Sequence, residues 1–238
     1  MDKSKIMISL VLLIYIASVL CQFIGYDVWS YYLSSLIMPV ITVLYFISVK
    51  KRTLFFSLFL LSTTVSDILV FLEDFIPFDF NYLFGNSLYI LAYIFLLVEI
   101  FSSMNLIKVI KSYFLHLIIL SVLSVYLVYV LQEIVDPYVE MSYKYYVELV
   151  YNIVLFLLLS VALLNYFYHD NVKSLYLFFG SLAIVFAEVI WIAYAYISER
   201  NLLIFLAITL HLLGFLLYFR QAKLEDEEET VEVTVQSH

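Results

Sequence analysis

The chain has 238 residues, of which 65% are apolar and only 13% charged, and its mean hydropathy is +1.04. That excludes an ordinary soluble domain, which must clothe its core in polar groups, whereas lipid solvates apolar helix faces directly. The formal charge of −8 comes with no basic stripe, so a nucleic-acid partner is not expected either.

Only helices and closed barrels satisfy their backbone groups inside a bilayer. Barrel strands alternate apolar and polar residues, but the apolar runs here are continuous and about twenty residues long. The expected fold is therefore all-α, a polytopic bundle of eight transmembrane helices over residues 1–223. An acidic cytoplasmic tail, read as disordered, follows over 224–238.

The first span is predicted over 6–24. It is long for a signal peptide, lacks a small-residue cleavage pattern, and is read as retained. Cys21 follows Leu20, which does not suit a lipoprotein cleavage site. As the single cysteine it excludes an internal disulfide and a cysteine-built metal site. The following spans are predicted over 33–49, 53–72, 83–104, 114–132, 146–168, 174–197 and 202–220. Connections are short, and six acidic residues (Glu225, Asp226, Glu227, Glu228, Glu229, Glu232) crowd the end.

Lys and Arg favour cytoplasmic loops. With eight crossings, Lys3, Lys5, Lys50, Lys51, Arg52, Lys108, Lys111, Lys173, Arg220 and Lys223 fall on one side, and Lys144 and Arg200 on the other. A bias of ten against two places both termini in the cytoplasm. A false span would put the later clusters on the wrong side.

Ionisable groups inside a span are costly and need a partner, a proton or a function. Asp67 in the third span, Glu99 in the fourth, Glu148 in the sixth and Glu188 in the seventh qualify, with His116 in the fifth and His211 in the eighth. At 1.5 Å per residue Asp67 lies ~8 Å below the outer boundary, and Glu188 and His211 ~13 Å below it. Asn86, Glu148 and Asn152 share this outer half, while Glu99 and His116 occupy the inner half. Helical spacing aligns Thr63, Ser66 and Asp67, then Asn86, Tyr89 and Tyr93, then Ser181, Glu188 and Trp191, then His211, Gly214 and Tyr218. These stripes are expected to face one interior.

Any one of these carboxyls can equally be protonated glue between helices, and Glu148 lies near enough to the surface to favour that reading. Asp67 and Glu188 at a similar level point further, because a carboxyl in a low-dielectric site favours its neutral form and can deliver a proton. The 22 Tyr and 21 Phe read as packing and interface residues. No phosphate-binding glycine loop, zinc-type histidine pair or nucleophile elbow is present, so neither metal nor cofactor is expected. Asp67 and Glu188 stand four spans apart in helices of like direction, as a duplicated four-helix unit requires.

At these residues the chain resembles the lysoplasmalogenase-like (YhhN) family of eight-span membrane proteins. The resemblance rests on Met38-Pro39 in the second span, Ser66-Asp67 in the third, and Gly85-Asn86-Ser87-Leu88-Tyr89 in the fourth. Gly180, followed eight residues later by Ala187-Glu188, extends it to the seventh. Met38 stands where the family has lysine, Asn86 where histidine is common, and Glu188 where it has aspartate.

The resemblance implies hydrolysis of the vinyl ether bond of a lysophospholipid in a bacterial inner (cytoplasmic) membrane. Asp67 and Glu188 would divide acid and base roles, with Asn86, Tyr89 and His211 contacting substrate. A small proton-coupled transporter is the competing reading, with Asp67 and Glu188 as an outer tier and Glu99 and His116 as an inner one. A membrane sensor or partner-binding subunit using the acidic tail is a third.

Overall fold

A computed structural model describes residues 3–139 and 142–236. Among them the chain forms ten α-helices and one 3-10 turn, with no strand. They are α1 (Lys3–Ile24), α2 (Asp27–Ser35), α3 (Ile37–Ser48), α4 (Leu54–Leu69), α5 (Phe78–Ser102), α6 (Leu106–Ser112), α7 (Phe114–Val139), α8 (Tyr143–His169), α9 (Val172–Tyr196) and α10 (Asn201–Gln236). Eight segments are long and apolar enough to cross a membrane, with α2 and α3 together forming the second. The protein is an integral membrane helical bundle.

Local chemistry sets the breaks. Gly25, at φ +91°, ends α1: its N–H bonds Gln22 O at 3.3 Å and that of Tyr26 bonds Cys21 O at 2.8 Å, a Schellman closure. The second span breaks at Leu36 and starts as early as Asp27. Pro39 explains the break, since it has no N–H for the Ser35 carbonyl and its ring crowds that carbonyl. Asp170, left-handed at φ +46°, ends α8, and the Asn171 side chain caps α9 by accepting from Ser174 N at 2.8 Å. The short helix α6, capped by Asn105, joins the fourth and fifth spans. α10 is continuous past Lys223, so 224–236 extend the last helix; the side chains of 225–236, and residues 237–238 altogether, lie outside the described residues.

Six helices close a ring: α3 on α4, α4 on α5, α5 on α8, α8 on α9, α9 on α10, and α10 back on α3. Moving each span of this ring four places along the chain maps the ring onto itself. The two outlying helices obey that shift only in part, for α1 packs on α3 and α10 whereas α7 packs on α8 and α9. At one end of the bundle lie Lys50, Lys51, Arg52, Lys108, Lys111 and Lys173; the opposite end carries the loop with Glu73 and Asp74. The ends are named basic and acidic below.

The ring's middle is packed with aromatic side chains. Phe59 of α4 stacks on Phe215 of α10 at 5.9 Å and meets the edge of Tyr218 at 5.5 Å and Tyr93 of α5 at 6.4 Å. All four are fully buried. The crossing of α9 and α10 is sealed: a Cβ on Gly180 would stand 2.7 Å from the Tyr218 ring, and one on Gly214 2.7 Å from Ile184. Small residues give such backbones their contact inside a bilayer.

Candidate functional site

Asp67 lies in the last full turn of α4 and is buried, with 9% exposure. Its neighbour Ser66 donates to the Gly85 carbonyl of α5 at 3.0 Å. One turn further along α5, Tyr89 donates its phenol O–H to Asp67 Oδ1. A Cβ at Gly85 would meet Ser66 Oγ at an ordinary 3.6 Å, so this crossing is close without being sealed.

Around the ring, Tyr89 meets Tyr93 at 6.4 Å between centroids, and Tyr93 meets Tyr151 of α8 at 5.9 Å. Glu188 of α9 lies within electrostatic reach of Tyr151. The Asp67–Tyr89 pair and Glu188 thus face each other across four ring helices, with the two carboxyls within electrostatic range of one another. Nearer the acidic end Tyr82 donates to Glu148, whose charge also reaches Glu188. At the rim, Tyr143 donates to Asp79 Oδ1 at 2.6 Å and Lys144 pairs with the same oxygen at 3.1 Å.

The stripes read from the sequence reach this interior with exceptions. Thr63, Ser66, Asp67, Tyr93, Ser181, Gly214 and Tyr218 are buried. Trp191 is not; it is 46% exposed on the outer surface of α9. Asn86 turns its amide back to the Tyr82 carbonyl of its own helix at 2.9 Å rather than toward Asp67. His211 stacks on Phe215 at 4.9 Å, with Nε2 buried and unpartnered among the described residues, and reaches the carboxyls through the aromatic file Phe215–Phe59–Tyr93. His116 faces outward against Tyr113 and Phe167, away from Glu99.

Sequence reasoning missed Tyr151. One signal was available: it lies three residues after Glu148, on the same helix face and deeper. Also missed was a cavity at the basic end, which Glu99 lines together with His169.

Chemically, a phenol bound to one carboxyl oxygen fixes the group's orientation and leaves the second oxygen to exchange a proton. A second carboxyl within range supplies the complementary acid or base. Among the described residues no group of three or more His, Cys, Asp or Glu is placed to hold a metal ion.

Fold and site together define a polytopic helical membrane protein with a buried, tyrosine-bound carboxyl, Asp67, and a second carboxyl, Glu188, within electrostatic range in a six-helix ring. No protein-family model matches the chain, and comparisons with curated proteins and with solved structures give no match either.

Proposed function

We propose that the protein is a membrane-embedded hydrolase of the lysoplasmalogenase type, acting on the vinyl ether bond of a lysophospholipid. The observation that carries this reading is the buried Asp67–Tyr89 pair with a second carboxyl, Glu188, within electrostatic range. The family resemblance at Ser66-Asp67, Gly85 to Tyr89 and Gly180 to Glu188 supports it.

Protonation of the vinyl β-carbon is the slow step of such a hydrolysis and needs a carboxyl that still holds its proton. Asp67 donates that proton, and Tyr89 positions it. Glu188 accepts a proton from water as the water attacks the oxocarbenium carbon. The hemiacetal then collapses to an aldehyde and a glycerophospho-alcohol as Asp67 takes the hydroxyl proton and Glu188 gives its proton to the departing oxygen, which restores both carboxyls. The basic end faces the cytoplasm, together with both termini, and the carboxyls lie in the outer half of the bilayer.

The test is aldehyde release in detergent, from a lysoplasmalogen and from its saturated ether analogue. Aldehyde from the vinyl ether alone, abolished in Asp67→Asn, is expected. Its absence from folded protein would overturn the hydrolase reading. The second reading, transport, is favoured by one specific arrangement: the carboxyls at one end of the ring, a polar cavity at the other, and the Phe59–Phe215–Tyr218 layer between. A transporter would move its solute across vesicles without chemical change.

A further inference from the structure

All six ring helices, or the turns that lead into them, contribute to the cavity of about 240 Å³ at the basic end. It lies about ten residues along α5 from Tyr89, hence ~15 Å from the carboxyl cluster. Lys51, just before α4, and Lys173, in the first turn of α9, are part of its wall, with His169 at the end of α8 and Glu99 on α5. Two lysines against one glutamate leave a net positive wall even with His169 neutral.

Two further features point to a ligand. Asn171 and Ser174, the cap of α9 and its hydrogen-bond partner, line the same wall, so the positive end of the α9 dipole adds to the lysines. Gln221 of α10 is only 8% exposed and lines the cavity, and no hydrogen bond engages its side-chain amide among the described residues. Its amide is therefore available to a ligand in the cavity. The floor, by contrast, is Phe56, Leu96, Ile100 and Leu177. This cavity therefore offers two lysines, the start of a helix, a side-chain amide and apolar surface.

We propose that the cavity binds a phosphate-bearing ligand. Its phosphoryl group lies between Lys51, Lys173 and the start of α9, and Gln221 meets a hydroxyl or ester oxygen of the same molecule. A phosphate dianion matches two lysines and a helix N-terminus better than a single carboxylate does. The cavity is larger than inorganic phosphate needs and suits a group the size of glycerophosphate. The inference does not depend on the hydrolase reading, because none of these residues belongs to the carboxyl cluster.

The experiment uses the full chain purified in detergent, titrated calorimetrically with sn-glycerol 3-phosphate, with glycerol, and with lysophosphatidic acid carried in the same micelles. Saturable binding of a phosphate compound but not of glycerol is expected. Binding of the soluble phosphate identifies a soluble ligand, and binding of the lysolipid alone identifies a headgroup that reaches the cavity from the membrane. Lys173→Ala and Lys51→Ala should each weaken binding roughly tenfold or more, and Gln221→Leu several-fold without any change of charge. Lys108→Ala and Lys111→Ala, at the same end but off the cavity wall, should leave it unchanged. Absence of saturable binding to wild-type protein would overturn the proposal whether or not the variants fold. Equal losses in the Lys108 and Lys111 variants would also overturn it, by showing a diffuse basic surface.

Discussion

The α4–α5 hairpin and the α9–α10 hairpin are closed by the same local device, and only in the first does it end on a carboxyl. In each, a glycine on the second helix faces the first, and the tyrosine four residues later reaches across. Gly85 and Tyr89 do this against Ser66-Asp67, and Gly214 and Tyr218 against Gly180-Ser181. Tyr218 donates to Ser181 Oγ at 3.0 Å, and Ser181 passes its own proton to the Leu177 carbonyl at 2.9 Å, so that network is complete. Tyr89 ends instead on a carboxyl, with a second carboxyl in range. The packing also differs. A Cβ on Gly85 would meet Ser66 Oγ at an ordinary 3.6 Å, whereas one on Gly214 would overlap Ile184. One crossing leaves room around a reactive group; the other is sealed.

The comparison also revises the internal repeat. Offset by four spans, the sequence pairs Asp67 with Glu188. Local packing pairs Asp67 with Ser181, while Glu188 lies seven residues further along α9, about two turns toward the acidic end. Glu188 lies within electrostatic reach of Tyr151 of α8. The second carboxyl is thus an addition to the repeated unit, not its copy.

The largest effect that separates the two crossings is on turnover. Asp67→Asn is expected to lower aldehyde release by about 10²–10⁴-fold, while Ser181→Ala leaves it close to wild type. Equal losses in both would show that the contrast is one of stability alone. Next comes stability itself, measured as the thermal midpoint in detergent. Gly214→Ala should cost about 1–3 kcal/mol through overpacking against Ile184. Gly85→Ala should be neutral or stabilise by up to about 1 kcal/mol, since a helical Ala is favoured and space exists. A damaging Gly85→Ala would mean that the α4–α5 crossing is as tight as the other. Smaller again, Tyr218→Phe should cost about 0.5–1.5 kcal/mol without touching turnover. Tyr89→Phe should slow turnover by releasing Asp67.

Eight spans were legible because the bilayer demands apolar runs of about twenty residues, and little else in a sequence looks like that. The break at Leu36 was not, although Pro39 was in view, because a proline sets where a bond is lost and not how the bundle absorbs it. Asp67, Tyr89 and Glu188 stood out since polar groups in lipid are conspicuous. Tyr151 did not, being one tyrosine among 22, many of them at interfaces. Trp191 was misplaced because a helix stripe has a width, and the edge of a stripe belongs to lipid as often as to the interior. The basic cavity was illegible for a different reason. Its wall is assembled from six helices or their lead-in turns, and no stretch of sequence contains more than a few of its residues.

One last substitution probes how far the reactive region extends beyond α4, α5 and α9. Asn152 of α8 follows Tyr151 directly and is fully buried, yet neither its Nδ2 nor its Oδ1 finds a hydrogen-bond partner among the described residues. An amide in that condition is a net cost, and an apolar side chain of similar shape should remove it. Asn152→Leu is therefore expected to be neutral or to raise stability by up to about 1 kcal/mol, with a matching rise in the thermal midpoint. If stability falls instead, the amide has a partner bound beside it. The Glu148 to Tyr151 turn of α8 then belongs to the same hydrated site as Asp67, and the contrast between the two hairpins becomes one between a wet half of the ring and a dry one.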